Sequence, residues 1–187
     1  MNVDAIECLL HRVSVPKLTE PGPNKEELQL LLKAALRAPD HAALRPWKIV
    51  VIEGEGRQQI GRACLEHAIT ANPELSSTQQ SRSENLLKRA PLVIAVAASP
   101  VEHPKVPEVE QLLSAGAAAQ NLMLMAHALG YGAVWRTGEY AYAEAVRNAL
   151  GLAEHESVVG FIYIGSADMK IPDAPEHNIS DFVSYIG

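Results

Sequence analysis

Apolar residues recur at two distinct spacings along this 187-residue chain. Near the amino terminus Val3, Ile6, Leu9 and Leu10 fall on one face of a helix over 2–11. Leu28, Leu31, Leu32, Ala35 and Leu36 repeat that spacing after Asn24, a residue suited to capping a helix start, and Pro39 requires this second helix to end near Arg37. Pro16, Pro21 and Pro23 remove backbone donors between the two, so 13–24 is expected to be an extended loop. Strand spacing appears in Lys48–Glu53, closed by Gly54-Glu55-Gly56, and in Val158–Ile164. Leu92–Ala98 is an unbroken apolar run too short for a helix, which predicts a strand buried on both faces.

Other elements are read from punctuation. A polar helix is expected over 57–71, a mobile loop over 72–83, and a proline-bounded connection over 101–107. Glu108–Leu129 forms the longest helix; its Ser114–Ala119 stretch lacks bulk, so another helix can approach closely, within the molecule or across a dimer. Gly130 and Gly132 end it before a short strand at Ala133–Trp135. A helix over 141–150 is stopped by Gly151, and Phe182–Ile186 is the one part of the tail patterned like an edge strand. Helices outnumber strands and separate them irregularly, which predicts one domain over 1–187, a layered α/β sandwich on a mixed sheet.

Composition narrows the function. Hydrophobic residues at 48% and charged residues at 20% exclude a disordered chain, a collagen repeat and a coiled-coil rod. Sixteen Lys plus Arg against 22 Asp plus Glu leave a net charge of −6, with no basic face for nucleic acid or a membrane surface. Cys8 and Cys64 are the only cysteines and neither belongs to a CxxC pair, so reduced thiols are expected. The first residues are acidic and lack the apolar run of a signal peptide, and the expected location is the cytoplasm.

Several familiar chemistries are missing. The 7 histidines form no HExxH or i,i+4 pair, so no metal is expected. Gly54–Gln59 and Gly130–Trp135 both fail GxGxxG, and no GxSxG occurs. What remains is a set of cations and hydroxyls at element ends: Arg12 and Ser14 with Lys17 nearby, Arg37, Arg136-Thr137, and Lys170. Guanidinium groups and hydroxyls in such places suit a phosphate-bearing ligand.

The blocks His11-Arg12-Val13-Ser14, Arg37-Ala38-Pro39-Asp40-His41, Arg45-Pro46-Trp47, Ser114 to Gly130, Trp135-Arg136-Thr137-Gly138 and Val159 to Gly165 resemble, in this order, the nitroreductase family. The resemblance runs essentially from end to end, and the long-helix and Ala-Pro…Pro-Trp blocks are its most specific parts. It implies a three-layer α-β-α sandwich with a central mixed sheet. It also implies a homodimer holding FMN at the subunit interface, reduced by NADH or NADPH and passing electrons to nitroaromatic, quinone or similar acceptors by a ping-pong mechanism.

By position the resemblance places Arg12, Val13 and Ser14 against one FMN, with Arg37 and His41 nearby, Trp135, Arg136 and Thr137 lining the same cofactor, and Lys170 as a further cofactor-binding cation. No side chain is singled out as catalytic, because the flavin N5 carries the hydride, and Arg136 or Lys17 could stabilise its reduced form. Three positions depart from the family pattern: Val13 replaces an arginine, and Ala43 and Arg45 stand where Asn and Gln are common. Segments 72–83 and 103–107 are expected at the pocket rim. The alternative is a non-enzymatic or differently acting flavin-binding protein on the same scaffold.

Overall fold

The computed structural model describes residues 4–187. Local signals explain most helix starts. The Asp4 carboxylate accepts from the N–H groups of Ile6 and Glu7 to open α1 (Ala5–His11), and positions 2–3 of the expected helix lie outside the described residues. Asn24 and Glu27 form a reciprocal capping box at the start of α2 (Lys25–Ala35). Between these helices the chain is extended, as expected, except that Leu18–Thr19 forms a two-residue strand, β1. The chain continues through β2 (Trp47–Ile52), α3 (Gly56–Ala71), α4 (Ser77–Glu84), β3 (Leu92–Ala98), α5 (Glu108–Ala128), β4 (Gly132–Arg136), α6 (Glu144–Ala149) and β5 (Ser157–Ala167).

The strands make one five-stranded sheet. β5 is central: Phe161–Ile164 pair with β3 on one side and with β4 on the other, while its last two residues pair with β1, and β2 pairs with β3. Alternation along β3 divides the core. Val93, Ala95 and Ala97 point with Phe161 and Tyr163 toward Ile60, Cys64 and Val146 on α3 and α6. Leu92, Ile94 and Val96 point with Ile162 and Ile164 toward Leu31, Ala35, Ala119 and Leu122 on α2 and α5. Every residue of β3 is buried. This is the expected α-β-α sandwich.

Three details differ from expectation. Among the described residues all pairings are antiparallel, so the sheet is not mixed. The reason lies in the order of strands. Helix α5 carries the chain from β3 to β4, which run in the same direction, but β5 inserts between them antiparallel to both and keeps them from pairing. The segment 72–83 is no loop over its second half, because Ser76 and Gln79 form a capping box that starts α4. Only Ser83 of that helix is buried, so no apolar spacing announces it. The tail makes no edge strand: it carries one short turn at Ile179–Asp181, and Phe182, Tyr185 and Ile186 are exposed.

Candidate functional site

Two regions of the fold carry most of the candidate cations. In the first, β4 ends in Arg136, followed by Thr137 and Gly138, whose φ of 64° lies in the left-handed region that favours glycine. These residues line a cavity of about 490 Å3 with Leu86, Glu139, Tyr140, Phe161 and Tyr163. The Arg136 guanidinium sits 5.8 Å from the centroid of the Tyr163 ring, a cation–π contact that holds the charge over an aromatic floor. One wall is tied across the fold, since the Tyr140 hydroxyl and Ser83 Oγ are hydrogen-bonded at 2.8 Å. Burial pushes the Tyr163 phenol up to about 12, and the Cys64 thiol behind it likewise to about 12. Both stay neutral near pH 7, and the ionisable groups left at the cavity are the Arg136 guanidinium and the Glu139 carboxyl.

The second region follows α1. Arg12 leaves the helix in extended conformation, and Val15 donates its N–H to the Ala133 carbonyl at 2.9 Å, laying 12–15 beside the start of β4. Farther on, Asp168 donates to the Lys17 carbonyl, so the backbone leading to Lys170 runs beside Lys17. Arg12 is half-buried, and its Nη1 is fully covered without a hydrogen-bond partner among the described residues. A buried donor left unmade costs about 1–3 kcal/mol, more for a charged group, so this nitrogen is poised for an anion. Its charge is felt locally: burial lowers the His127 pKa, and Arg12 and then His11 lower it further.

The remaining candidates lie elsewhere. Arg37 lines a shallow apolar groove with Cys8, Asn121 and Leu124. His41 opens a tight turn and bonds Glu110. Of these candidates, Arg136 and Thr137 line one cavity together. Arg12, Val13 and Ser14 flank β4, and Arg37 and His41 face other openings. The Trp135 side chain is committed to packing, because its indole N–H donates to the Val159 carbonyl at 3.2 Å and the ring covers Gly160. Of the expected rim, Ser83 reaches the 490 Å3 cavity through Tyr140, whereas His103 lines a separate cavity with His155. No His, Cys, Asp or Glu cluster among the described residues could hold a metal ion.

A model of the nitroreductase family matches residues 9–166. The chain belongs to that family. YdjA of Escherichia coli (strain K12), whose name is that of an NAD(P)H nitroreductase, is 40% identical over 186 residues, covering 98% of this chain and 100% of YdjA. The crystal structure of a nitroreductase-like family protein from Bacillus cereus superposes with a TM-score of 0.81 at 26% identity, covering 100% of this chain and 97% of that one. A nitroreductase with bound FMN from Desulfitobacterium hafniense DCB-2 shares the fold with a TM-score of 0.70 at 23% identity, covering 100% of both chains.

The three departures from the nitroreductase pattern have visible consequences. Val13 is half-buried and offers no cation beside Arg12. Ala43 has a φ of 54° and Arg45 one of 52°, so their turn is held in an unusual conformation without glycine. The Arg45 guanidinium donates to the Ala43 carbonyl at 3.1 Å and thus binds its own loop. Leu86, Tyr140, Phe161 and Tyr163 escaped sequence reasoning as site residues. Strand parity within Val159–Gly165 was the available signal, since it puts Phe161 and Tyr163 on one face.

Proposed function

We propose that this nitroreductase-family chain is an FMN-dependent NAD(P)H oxidoreductase that reduces nitroaromatic, quinone or related acceptors. The observation that carries the reading is the aromatic-floored 490 Å3 cavity with Arg136 over Tyr163. Its size suits a planar ring, and its one fixed cation suits the charge that develops on a reduced flavin. Bound FMN would supply the centre that takes hydride from the nicotinamide and passes electrons on.

The protein's own residues have distinct parts in this scheme. Arg136 and Thr137 would orient the ring over Phe161 and Tyr163. Arg12, through its unpartnered Nη1, would hold the phosphate with Ser14 and Lys170, and Val13 would contribute backbone alone. Arg37 and His41, which face away from the cavity in their own chain, would approach the flavin of a second copy. Exposed Ile6, Leu9 and Leu10 on α1 and Leu113 on α5 supply an apolar face for that copy. With one ring pocket for both substrates, turnover alternates between them.

A visible spectrum of the purified protein tests the reading. Flavin absorbance that bleaches on anaerobic addition of NADPH or NADH is expected, and protein purified without flavin and unable to bind added FMN overturns it.

A further inference from the structure

The end of α1 is tied to the end of α5 at two points. Cys8 Sγ donates to the Leu124 carbonyl at 3.4 Å, and farther along Val15 donates its N–H to the Ala133 carbonyl at 2.9 Å, just past the end of α5. The two stretches therefore run in the same direction, and the residues between the ties face one another: His11 and Arg12 on one side, His127 on the other. His127 stands half-buried in the last turn of α5. Arg12 presents its covered Nη1, which has no hydrogen-bond partner among the described residues. Three groups able to carry positive charge thus share one contact.

The imidazole registers these neighbours. The carboxyl end of a helix by itself favours a cation. Burial nevertheless holds His127 below the ordinary 6.5, and the charges of Arg12 and then His11 lower it further. The carboxylates of the adjoining helices are engaged elsewhere, Glu7 with His11 Nδ1 at 2.9 Å and Glu27 with the Asn24 N–H and the Tyr131 hydroxyl. Lys25, Glu26 and Lys33 of α2 are exposed, and Arg37 lines the groove at Leu124 and Ala128. Cys8 stays neutral, because burial raises its thiol against the pull of Arg12. In the sheet beneath α5, β3 has no ionisable side chain, Tyr163 of β5 faces α3 and α6, Lys48 of β2 is paired with Glu156, and Arg136 of β4 stands over Tyr163. Among the described residues the ion pairs leave Arg12 without a carboxylate, so its charge acts on His127 undiminished.

We propose that His127 is a proton-linked member of the phosphate site: when a phosphate dianion settles on Arg12 Nη1, the imidazole takes up a proton from water, and the site holds its ligand more tightly in acid. The inference rests on the flavin reading, which assigns Arg12 to the FMN phosphate. An anion at Arg12 cancels the charge that opposes protonation of His127, and by reciprocity a charged His127 strengthens the hold on the anion. At low pH the imidazole is charged with or without ligand, and at high pH it is neutral in both. Affinity therefore falls with rising pH only between the free and the bound titration of His127.

The test follows the His127 imidazole against pH by NMR of the labelled full-length chain, without ligand, with FMN, and with riboflavin, which lacks the phosphate. With FMN bound His127 should titrate about 0.5–1 higher on the pH scale, the effect of neutralising one charge several ångströms away in a partly buried site. Riboflavin should leave it where it was. FMN release on dilution of the holoprotein, read by flavin fluorescence, gives the reciprocal quantity. Between pH 5 and 7.5 the FMN affinity of wild type relative to His127→Gln should fall by about three- to tenfold. The FMN phosphate titrates alike in both proteins and cancels from this ratio. Should His127→Gln not fold, the wild-type titration decides by itself. An imidazole that titrates unchanged with FMN bound, or that riboflavin moves as far as FMN does, overturns the inference and leaves the flavin reading standing. A chain that binds no FMN at any pH overturns both.

Discussion

The indole of Trp135 lies against Gly160, and a β-carbon at that glycine would collide with the ring at Nε1. Trp135 and Gly160 sit on the adjacent strands β4 and β5, and the indole N–H reaches the carbonyl of Val159 in the same contact. Gly160 is needed for the close approach, since its φ is not in the positive range. Gly160→Ala should therefore destabilise the protein by about 1–3 kcal/mol, the usual cost of overpacking a filled site. Urea unfolding followed by tryptophan fluorescence measures this, and an unchanged midpoint would contradict the packing.

Arg12→Ala should weaken FMN binding by about 1.5–3 kcal/mol, as expected for loss of a hydrogen bond to a charged group. Fluorescence titration of apoprotein gives the affinity. The same substitution should raise the His127 pKa, because the Arg12 charge adds to burial in lowering it. Proton NMR of that imidazole confirms that the guanidinium has been removed from the expected place, independently of flavin.

Acid should expose the contribution of Glu156. Burial by itself would raise its pKa, but bonds from the Ala153 N–H, the Ser99 hydroxyl and Lys48 outweigh burial and hold it below the ordinary 4.5. A carboxyl depressed in the folded state stabilises above its unfolded pKa, and the stabilisation is lost as pH falls through the folded value. Stability of the wild type should thus drop below pH 4.5 more steeply than that of Glu156→Gln. Denaturant midpoints between neutral and strongly acid pH compare the two, and parallel profiles would rule out this role.

Leu9 and Leu10 are 63% and 64% exposed on α1, on the face proposed to meet a second copy. Leu10→Asp should shift a dimer toward monomer in sedimentation and lower flavin retention at the same time. A wild type that sediments as a monomer at micromolar concentration would remove the two-chain site.

The proposed alternation of both substrates in one pocket predicts parallel double-reciprocal plots when nicotinamide is varied at several acceptor concentrations. Intersecting lines would show both bound together.

Much of the framework was legible because it depends on residues close in sequence. Apolar spacing marked α1, α2 and the longer strands, the Asn24 cap marked a helix start, and the run Leu92–Ala98 announced a strand buried on both faces. Ordered family motifs in the chain also mark its family independently of geometry. The helix α4 was missed, since its capping box serves a segment with almost no buried apolar face. What tertiary structure alone decided were relations between remote positions. The insertion of β5 between β3 and β4 made the sheet antiparallel, and the meeting of Arg136 with Tyr163 made a cavity with a charged wall. Glu110 and His41 became partners only when the start of α5 folded against the loop after α2. Hydrophobic periodicity records which face of an element is buried; it carries no information about which distant face meets it, and these sites are made of such meetings.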